Sequence, residues 1–445
     1  MDTPLLDFVR AYADSGTIRA HMPGHKGKGP LGAEALDLTE IFGADSLYEA
    51  SGIIAQSENN ASSLFGSRMT FYSAEGSSLC IRAMTALALK QGLADGKSRV
   101  MLCGRNAHKA LLSAACLLDV QLRWLPAGEK NYLTAQPDAQ TVEKALNGLK
   151  EPPFAVYLTS PDYLGGMADI RAIAQVCRAH DVPLLVDNAH GAYLHFLPES
   201  LHPLDLGAQV CCDSAHKTLP ALTGAAWLHF GAGTDVNEGD VRDCLALFGS
   251  TSPSYLILAS LDGVNRYLSD GYRGRLRAFC AQMDAVKARL QREGWELFGQ
   301  EPMKLTVCAS RAGLTGQELS QKLRDRGIEC EFADPDYTVL MLTPEQTELL
   351  PKVESALLAV PRGKALRPGP PMSFAGERAL SVREAMLSPS LQVPVSQALG
   401  RVLASPCVSC PPAVPILMCG ERVTQEAIEA FHYYHIDTVR VVRED

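Results

Sequence analysis

Between residues 68 and 230, short apolar runs alternate with amphipathic stretches. The runs predict strands over 69–72, 99–103, 154–159, 207–212 and 224–230, and another in the apolar run Pro183-Leu184-Leu185-Val186 that Asp187 ends. Helical spacing predicts helices over 79–92 and 169–179, with another starting near 105–109 and an earlier one ending near Leu64-Phe65-Gly66. Polar residues stand at the carboxyl end of nearly every strand. That alternation is the βαβ signature of a mostly parallel sheet, with a ligand expected in the crevice at the strand ends.

Outside this block the pattern changes. A short amphipathic helix over 4–13 precedes the Gly/Pro-rich loop His21-Met22-Pro23-Gly24-His25-Lys26-Gly27-Lys28, either a solvated arm or the edge of an anion-binding cleft or subunit contact. A hydroxyl-rich loop spans 248–255. One long helical region is expected over 256–293. Residues 303–360 predict a small α+β domain: strand 303–308, helix 316–325, strands 328–332 and 337–342, helix 345–360. Residues 361–372 form a Pro/Gly-rich basic linker. The tail predicts a helix over 382–386, a strand over 414–418, a helix over 424–431 and a strand over 438–442. The expected division is an N-terminal arm 1–50, a major domain 51–300, a small domain 301–362 and a C-terminal domain 363–445.

Composition narrows the class. The chain has 445 residues, 47% hydrophobic and 20% charged, an ordinary balance for a globular enzyme. A net charge of -9 disfavours nucleic acid. There is no apolar run of transmembrane length and no secretory pattern at the start, so cytoplasmic residence is expected. Thirteen cysteines, an odd number lying mostly in apolar segments, suit reduced thiols better than a disulfide framework. Cys407 and Cys410 form a lone C-x-x-C. The nearest histidine pair, His432 and His435, is spaced more tightly than zinc fingers use, and no metal is expected.

The chemistry gathers around Cys211-Cys212-Asp213-Ser214-Ala215-His216-Lys217-Thr218. A lysine between two apolar runs is costly to bury as an ammonium. Such a lysine can form a Schiff base with an aldehyde. Pyridoxal 5'-phosphate (PLP) is the commonest such aldehyde, and its pyridine nitrogen needs an acidic partner. Asp187, at the end of an apolar run, offers one. A snorkelling surface lysine is the bland reading of Lys217 alone. Glu75-Gly76-Ser77-Ser78, between a strand and a helix, suits a phosphate at a helix N-terminus, although a serine there is first of all an N-cap. His108, at a strand-to-helix turn, could stack on a flat cofactor or simply cap its helix.

With these residues noted, the chain resembles the ornithine/lysine/arginine decarboxylase family of fold-type-I PLP enzymes, in its short form without the N-terminal regulator-like domain. The likeness runs nearly end to end. It is carried by Pro23-Gly24-His25-Lys26, Arg105-Asn106-Ala107-His108-Lys109, and Ser160-Pro161 with Tyr163 and Gly165. Further on come Asp187-Asn188-Ala189-His190-Gly191, Ser214-Ala215-His216-Lys217, Thr251-Ser252-Pro253-Ser254, Ser381-Val382-Arg383-Glu384-Ala385, Val414-Pro415-Ile416-Leu417 and Gly420-Glu421-Arg422.

The resemblance implies an aspartate-aminotransferase-like α/β major domain with a mostly parallel sheet, and small α+β domains on its C-terminal side. It implies that Lys217 bonds the cofactor, Asp187 pairs with the pyridinium, His108 stacks on one ring face and Ala189 lies on the other. Gly76, Ser77, Ser78, Ser214 and His216 would hold the phosphate. Thr251 or Ser252 would reach the phosphate of a second subunit, so at least a homodimer is implied. Decarboxylation of arginine, lysine or ornithine is the implied reaction, with Lys217, His190 or His216 returning a proton to Cα.

Three positions depart from the family: Glu75 in the phosphate loop, Asp162 in place of Thr, and Asn188 in place of Glu. An acid at 75 would weaken phosphate binding, and all three bear on substrate preference. An aminotransferase or β-eliminating lyase would use the same Lys217 and Asp187; an aminotransferase would add an arginine clamp, for which Arg311 is a candidate. A non-catalytic PLP binder is the reading from another class. Glu331, Asp334 and Asp336 are candidates for a basic side chain's partner, each also readable as a solvated surface acid.

Overall fold

The computed structural model describes residues 1–126, 136–367, 376–405 and 414–444. The Cys407/Cys410 pair and residues 368–372 of the expected linker lie outside them. The strands of the main sheet are β1 (Met69–Ser73), β2 (Ser98–Cys103), β3 (Gln121–Trp124), β4 (Pro153–Thr159), β5 (Leu184–Asp187), β6 (Val210–Asp213) and β7 (Ala226–Phe230). The first ten helices are α1 (Pro4–Asp14), α2 (Ile53–Phe65), α3 (Gly76–Ala94), α4 (Lys109–Leu118), α5 (Ala139–Asn147), α6 (Ile170–Ala179), α7 (Ala215–Thr218), α8 (Glu238–Ala246), α9 (Tyr255–Ser269) and α10 (Tyr272–Arg292). The chain divides into two compact units, residues 1–97 with 170–275 and residues 98–169 with 276–445.

In the first unit the strands run in the order β1-β7-β6-β5. β5 and β6 are parallel. β7 turns back antiparallel to β6 and pairs antiparallel with β1. A parallel return needs a full crossover. The β6–β7 connection, residues 214–225, holds only the short α7 and no crossover helix, and β7 returns antiparallel. Phe65, at the end of α2, packs on this sheet, its ring centre 5.2 Å from Trp227 and 4.5 Å from His229. Asp262 of α9 accepts hydrogen bonds from the Leu5 and Leu6 amides and so fixes the start of α1.

In the second unit β4, β2 and β3 are parallel neighbours. β3 and α5 have no counterpart in the expected pattern. In β3 only Leu122 is buried, which is too little apolar periodicity to read. A second sheet orders β8 (Leu297–Phe298), β9 (Lys304–Cys308), β10 (Phe332–Ala333) and β11 (Tyr337–Met341) as β10-β11-β9-β8, all antiparallel. With it stand α11 (Gly316–Arg324) and α12 (Leu350–Leu358). The tail holds α13 (Val382–Leu387), α14 (Gln425–Tyr433) and a ribbon of β12 (Ser390–Pro394) and β13 (Thr438–Val442). Val339, Val395, Leu417, Ile428, Phe431 and Val441 share one core.

Four expected elements change. Residues 256–293 form two helices, because Gly271 takes φ +67° between α9 and α10. The strand expected over 328–332 shrinks to Phe332–Ala333, since the Ile328 amide closes the end of α11 on the Leu323 carbonyl. Pro351 sets the start of α12, so residues 345–349 form a 3₁₀ turn before it. Val414, Ile416 and Leu417 are buried as expected but form no strand. Pro415 has no N–H, and the Met418 amide donates to Glu421.

Candidate active site

β5 and β6 end level, with Asp187 beside Cys212. Asp187 is 2% exposed. Its Oδ1 accepts from the Ala189 amide at 3.1 Å and from the Cys212 thiol at 3.7 Å. Burial, and then the nearby Asp187 carboxylate, push the Cys212 thiol well above its ordinary pKa. The chain then turns through Asn188 to Gly191, where the Gly191 amide donates to the Asn188 carbonyl at 2.7 Å. A Cβ at 191 would fall 2.1 Å from Asn188 Oδ1 and 2.6 Å from Leu194, so a larger residue there would push both side chains aside. The turn aims His190 at the next strand end. There, in α7, Lys217 Nζ lies 3.2 Å from His190 Nε2. The lysine is half-buried and the imidazole buried. Lys217, His190 and Asp187 thus occupy neighbouring strand ends, as the sequence pattern implies.

A second group of donors gathers in the same unit. α3 starts at Gly76, with φ +69° and no side-chain cap. The helix therefore begins three residues before the expected position; the Gly76 amide already donates to the Gly224 carbonyl at 2.7 Å, and the first-turn N–H groups after it form an anion-type N-terminus. Ser214 Oγ donates to Ser77 Oγ at 2.9 Å, so the hydroxyl at the N-cap of α7 meets one in the first turn of α3. His216 Nδ1 donates to the Ala225 carbonyl at 3.0 Å; its Nε2 can then donate only as imidazolium. An uncapped helix start and two hydroxyls are a donor set that fits a phosphate, and Lys217 fits an aldehyde.

Glu75 does not face that cradle alone. Its Oε1 accepts from the Ser250 amide at 2.6 Å. The acid that departs from the family pattern therefore holds the hydroxyl-rich loop, in which Thr251 and Ser252 are exposed.

Behind the lysine lies a polar network with no counterpart in the sequence expectations. Asn188 Nδ2 donates to Asp213 Oδ1 at 2.7 Å. Asp213 Oδ2 pairs with His202 Nε2 at 3.0 Å and stands 3.4 Å from His229 Nε2. Thr70 Oγ1 meets the other nitrogen of His229 at 2.8 Å. Burial opposes the charge on Asp213, but His202 and His229 outweigh it and hold the carboxyl below its ordinary pKa. Donor atoms of His202, Cys211 and Asp213 lie within 4.8 Å of one another, a spacing that could admit a cation. Both Asp213 oxygens are already engaged by Asn188 and His202, so the arrangement is a satisfied anion rather than a vacant chelate.

In the second unit His108 caps α4, its Nδ1 accepting from the Ala110 amide at 3.2 Å. The capping role is thus real. The same turn stands at the carboxyl end of β2, where open sheets collect ligand residues. Arg311 is exposed and faces Glu296 at 3.7 Å. Asp162 does not lie open: it is buried and accepts from the Gly166 and Leu164 amides at 2.7 and 3.0 Å. Burial raises its pKa to about 6.

Of the three candidate acids, Glu331 is exposed and accepts from Tyr163 OH at 2.8 Å, and Asp336 accepts from Tyr433 OH at 2.9 Å. Asp334 corrects the surface reading, because it is 0% exposed. Its Oδ1 caps the β10–β11 turn by accepting from the Asp336 and Tyr337 amides, while Oδ2 has no partner among the described residues. Burial raises its pKa to about 7. The folded chain then binds this proton more tightly than the unfolded chain. Stability therefore falls as pH rises from about 4 to about 7, by roughly 2–4 kcal/mol in all. Asp334→Asn keeps the Oδ1 acceptor and removes the charge. Urea midpoints from acid to alkaline pH should show a shallower decline for the variant, and greater stability than wild type at alkaline pH. Equal curves would contradict the assignment.

The strand-end lysine, the buried carboxylate and the phosphate-type donor set stand together in one α/β unit. Residues 3–298 match the family described as "Orn/Lys/Arg decarboxylase, major domain", and residues 368–439 match its C-terminal domain. The chain belongs to the Orn/Lys/Arg decarboxylase family and is an enzyme of that class. It is 29% identical to the arginine decarboxylase of Bacillus subtilis (strain 168), over 96% of this chain and 92% of the relative. It is also 29% identical to the arginine decarboxylase of Halalkalibacterium halodurans, over 95% and 91%. The fold is similar to that of the Francisella novicida lysine decarboxylase, with TM-score 0.81 at 16% identity over 99% of this chain and 81% of that one. The constitutive lysine decarboxylase of E. coli gives TM-score 0.76 at 19% identity over 99% and 82%.

Proposed function

We propose that the chain decarboxylates a basic amino acid to the corresponding amine and carbon dioxide, with PLP bound covalently to Lys217. The observation that carries this reading is the 3.2 Å contact of Lys217 Nζ with His190, on a turn that begins at the buried Asp187. When bound, the cofactor supplies the electron sink for the pair left on Cα. Asp187, as an anion, favours a proton on the ring nitrogen. Gly76, Ser77, Ser78, Ser214 and His216 anchor the phosphate, which fixes the ring's orientation. Lys217 and His190 can share a proton across their contact, so either can return one to Cα once carbon dioxide has left. The resemblance assigns Ala189 and His108 to the two ring faces, where they would hold the ring flat.

Among the three basic amino acids we favour arginine. The relatives that match over nine-tenths of their length include four named arginine decarboxylases. The constitutive lysine decarboxylase of E. coli matches over 49% of its length, at 24% identity. The proposal includes a cytoplasmic homodimer in which Thr251 or Ser252 reaches the partner's phosphate. The exposure of that loop and its anchoring by Glu75 support this. Side-by-side incubation with arginine, lysine and ornithine tests the reaction. Carbon dioxide and agmatine from arginine are expected; turnover only in the presence of a keto acid would make the chain an aminotransferase. Sedimentation at twice the chain mass tests the dimer.

A further inference from the structure

α4, which His108 caps, is gripped at both ends by the segment matched as the C-terminal domain. At its approach Arg105 makes a two-pronged ion pair. Nη1 donates to Glu421 Oε1 at 2.9 Å and Nη2 donates to Oε2 at 3.0 Å. Arg105 is 7% exposed and Glu421 3%. Glu421 is itself held: Oε2 accepts from the Met418 amide at 2.9 Å, and its carbonyl accepts from the Leu403 amide at 2.9 Å. A Cβ on Gly376 would come 2.6 Å from Oε2, so backbone closes over the carboxylate. The next residue, Asn106, donates to the Thr159 carbonyl at the end of β4 at 3.1 Å. At the far end of the helix, Arg383 Nη1 donates to the Cys116 and Leu117 carbonyls at 2.8 and 3.3 Å. Those carbonyls belong to the last turn, which a helix leaves without partners of its own. α13, which carries Arg383, packs along α4.

A buried ion pair is a poor source of net stability compared with an apolar pair of the same size. A bidentate pair is, however, strongly directional. We infer that Glu421 and Arg383 are positioning residues: the C-terminal domain fixes α4 at both ends and thereby fixes where His108 stands. This rests on the reading of His108 as a residue that lies on the cofactor ring. Arg105 orients the turn into His108, and Arg383 prevents α4 from sliding along its axis.

The test is a cycle of variants in the full-length enzyme. Arg105→Met combined with Glu421→Gln leaves no unpaired buried charge and keeps an acceptor for the Met418 amide. Arg383→Ala is a milder variant at an exposed side chain. PLP is titrated into the cofactor-free chain and followed by visible absorbance. Each clamp variant should bind it about tenfold more weakly. In a His108→Ala background the clamp substitutions should add almost nothing, because they act through that ring. Wild-type affinity in the clamp variants, or a full additive loss on top of His108→Ala, overturns the inference. Amide hydrogen exchange separates this from the reading of His108 itself. Amides of residues 110–112 should exchange about tenfold faster in the clamp variants, with α3 unchanged. If His108→Ala binds PLP normally, the reading of His108 fails and exchange alone judges the clamp. Unchanged exchange then overturns it too.

Discussion

Lys217→Ala is expected to abolish decarboxylation, with turnover falling at least about a thousandfold. The dialysed protein should also lose its visible absorbance band. The lysine has two tasks in the proposed reaction: it bonds the cofactor aldehyde, and with His190 it forms the proton-sharing pair. Alanine removes both. It also leaves the fold close to intact, since Lys217 is half-buried in a four-residue helix and is not a core residue. Unfolding midpoints should therefore stay within about 0.5 kcal/mol of wild type, the usual range for substitutions outside the core. Retained turnover, or an unchanged absorbance band, would refute the role of Lys217.

Asp187→Asn is expected to reduce turnover by about 10²–10⁴-fold while leaving the cofactor bound. Asparagine keeps Oδ1 as an acceptor for the Ala189 amide, so the turn to His190 survives. What it loses is the negative charge, and without it the ring nitrogen has no reason to stay protonated. The contrast with Lys217→Ala is diagnostic, because one variant loses the cofactor and the other keeps it in a less reactive form. A second consequence falls on Cys212, whose thiol is raised by burial and then by Asp187. Removing the anion should lower that thiol's pKa. Thiol titration by absorbance checks this independently of activity.

The sheet was legible because its strands are buried on both faces. β4 and β5 are apolar runs that end in polar residues, and such runs stand out without periodicity. Lys217 and Asp187 were legible for the same reason, as charges at the ends of those runs. β3 was not, since a single buried leucine gives no pattern. Arg105 and Glu421 are 316 positions apart, so no local signal can pair them. Asp334 looked like a surface acid in a short polar stretch. Its burial comes from the β10–β11 turn it caps, a tertiary fact. Asp213 was visible only as a strand end, because the histidines that stabilise its charge come from other segments.

The contact between Asn188 and Asp213 has an evolutionary corollary. Two carboxylates could not share that 2.7 Å spacing inside the sheet unless one kept its proton. A relative with glutamate at the first position is therefore expected to carry a neutral or cationic residue at the second. In this chain the acid of the pair stands on β6 and the amide on the turn after β5. Asn188→Glu alone should be poorly tolerated here, and Asp213→Asn should restore it. Substitutions at these two sites are expected to travel together.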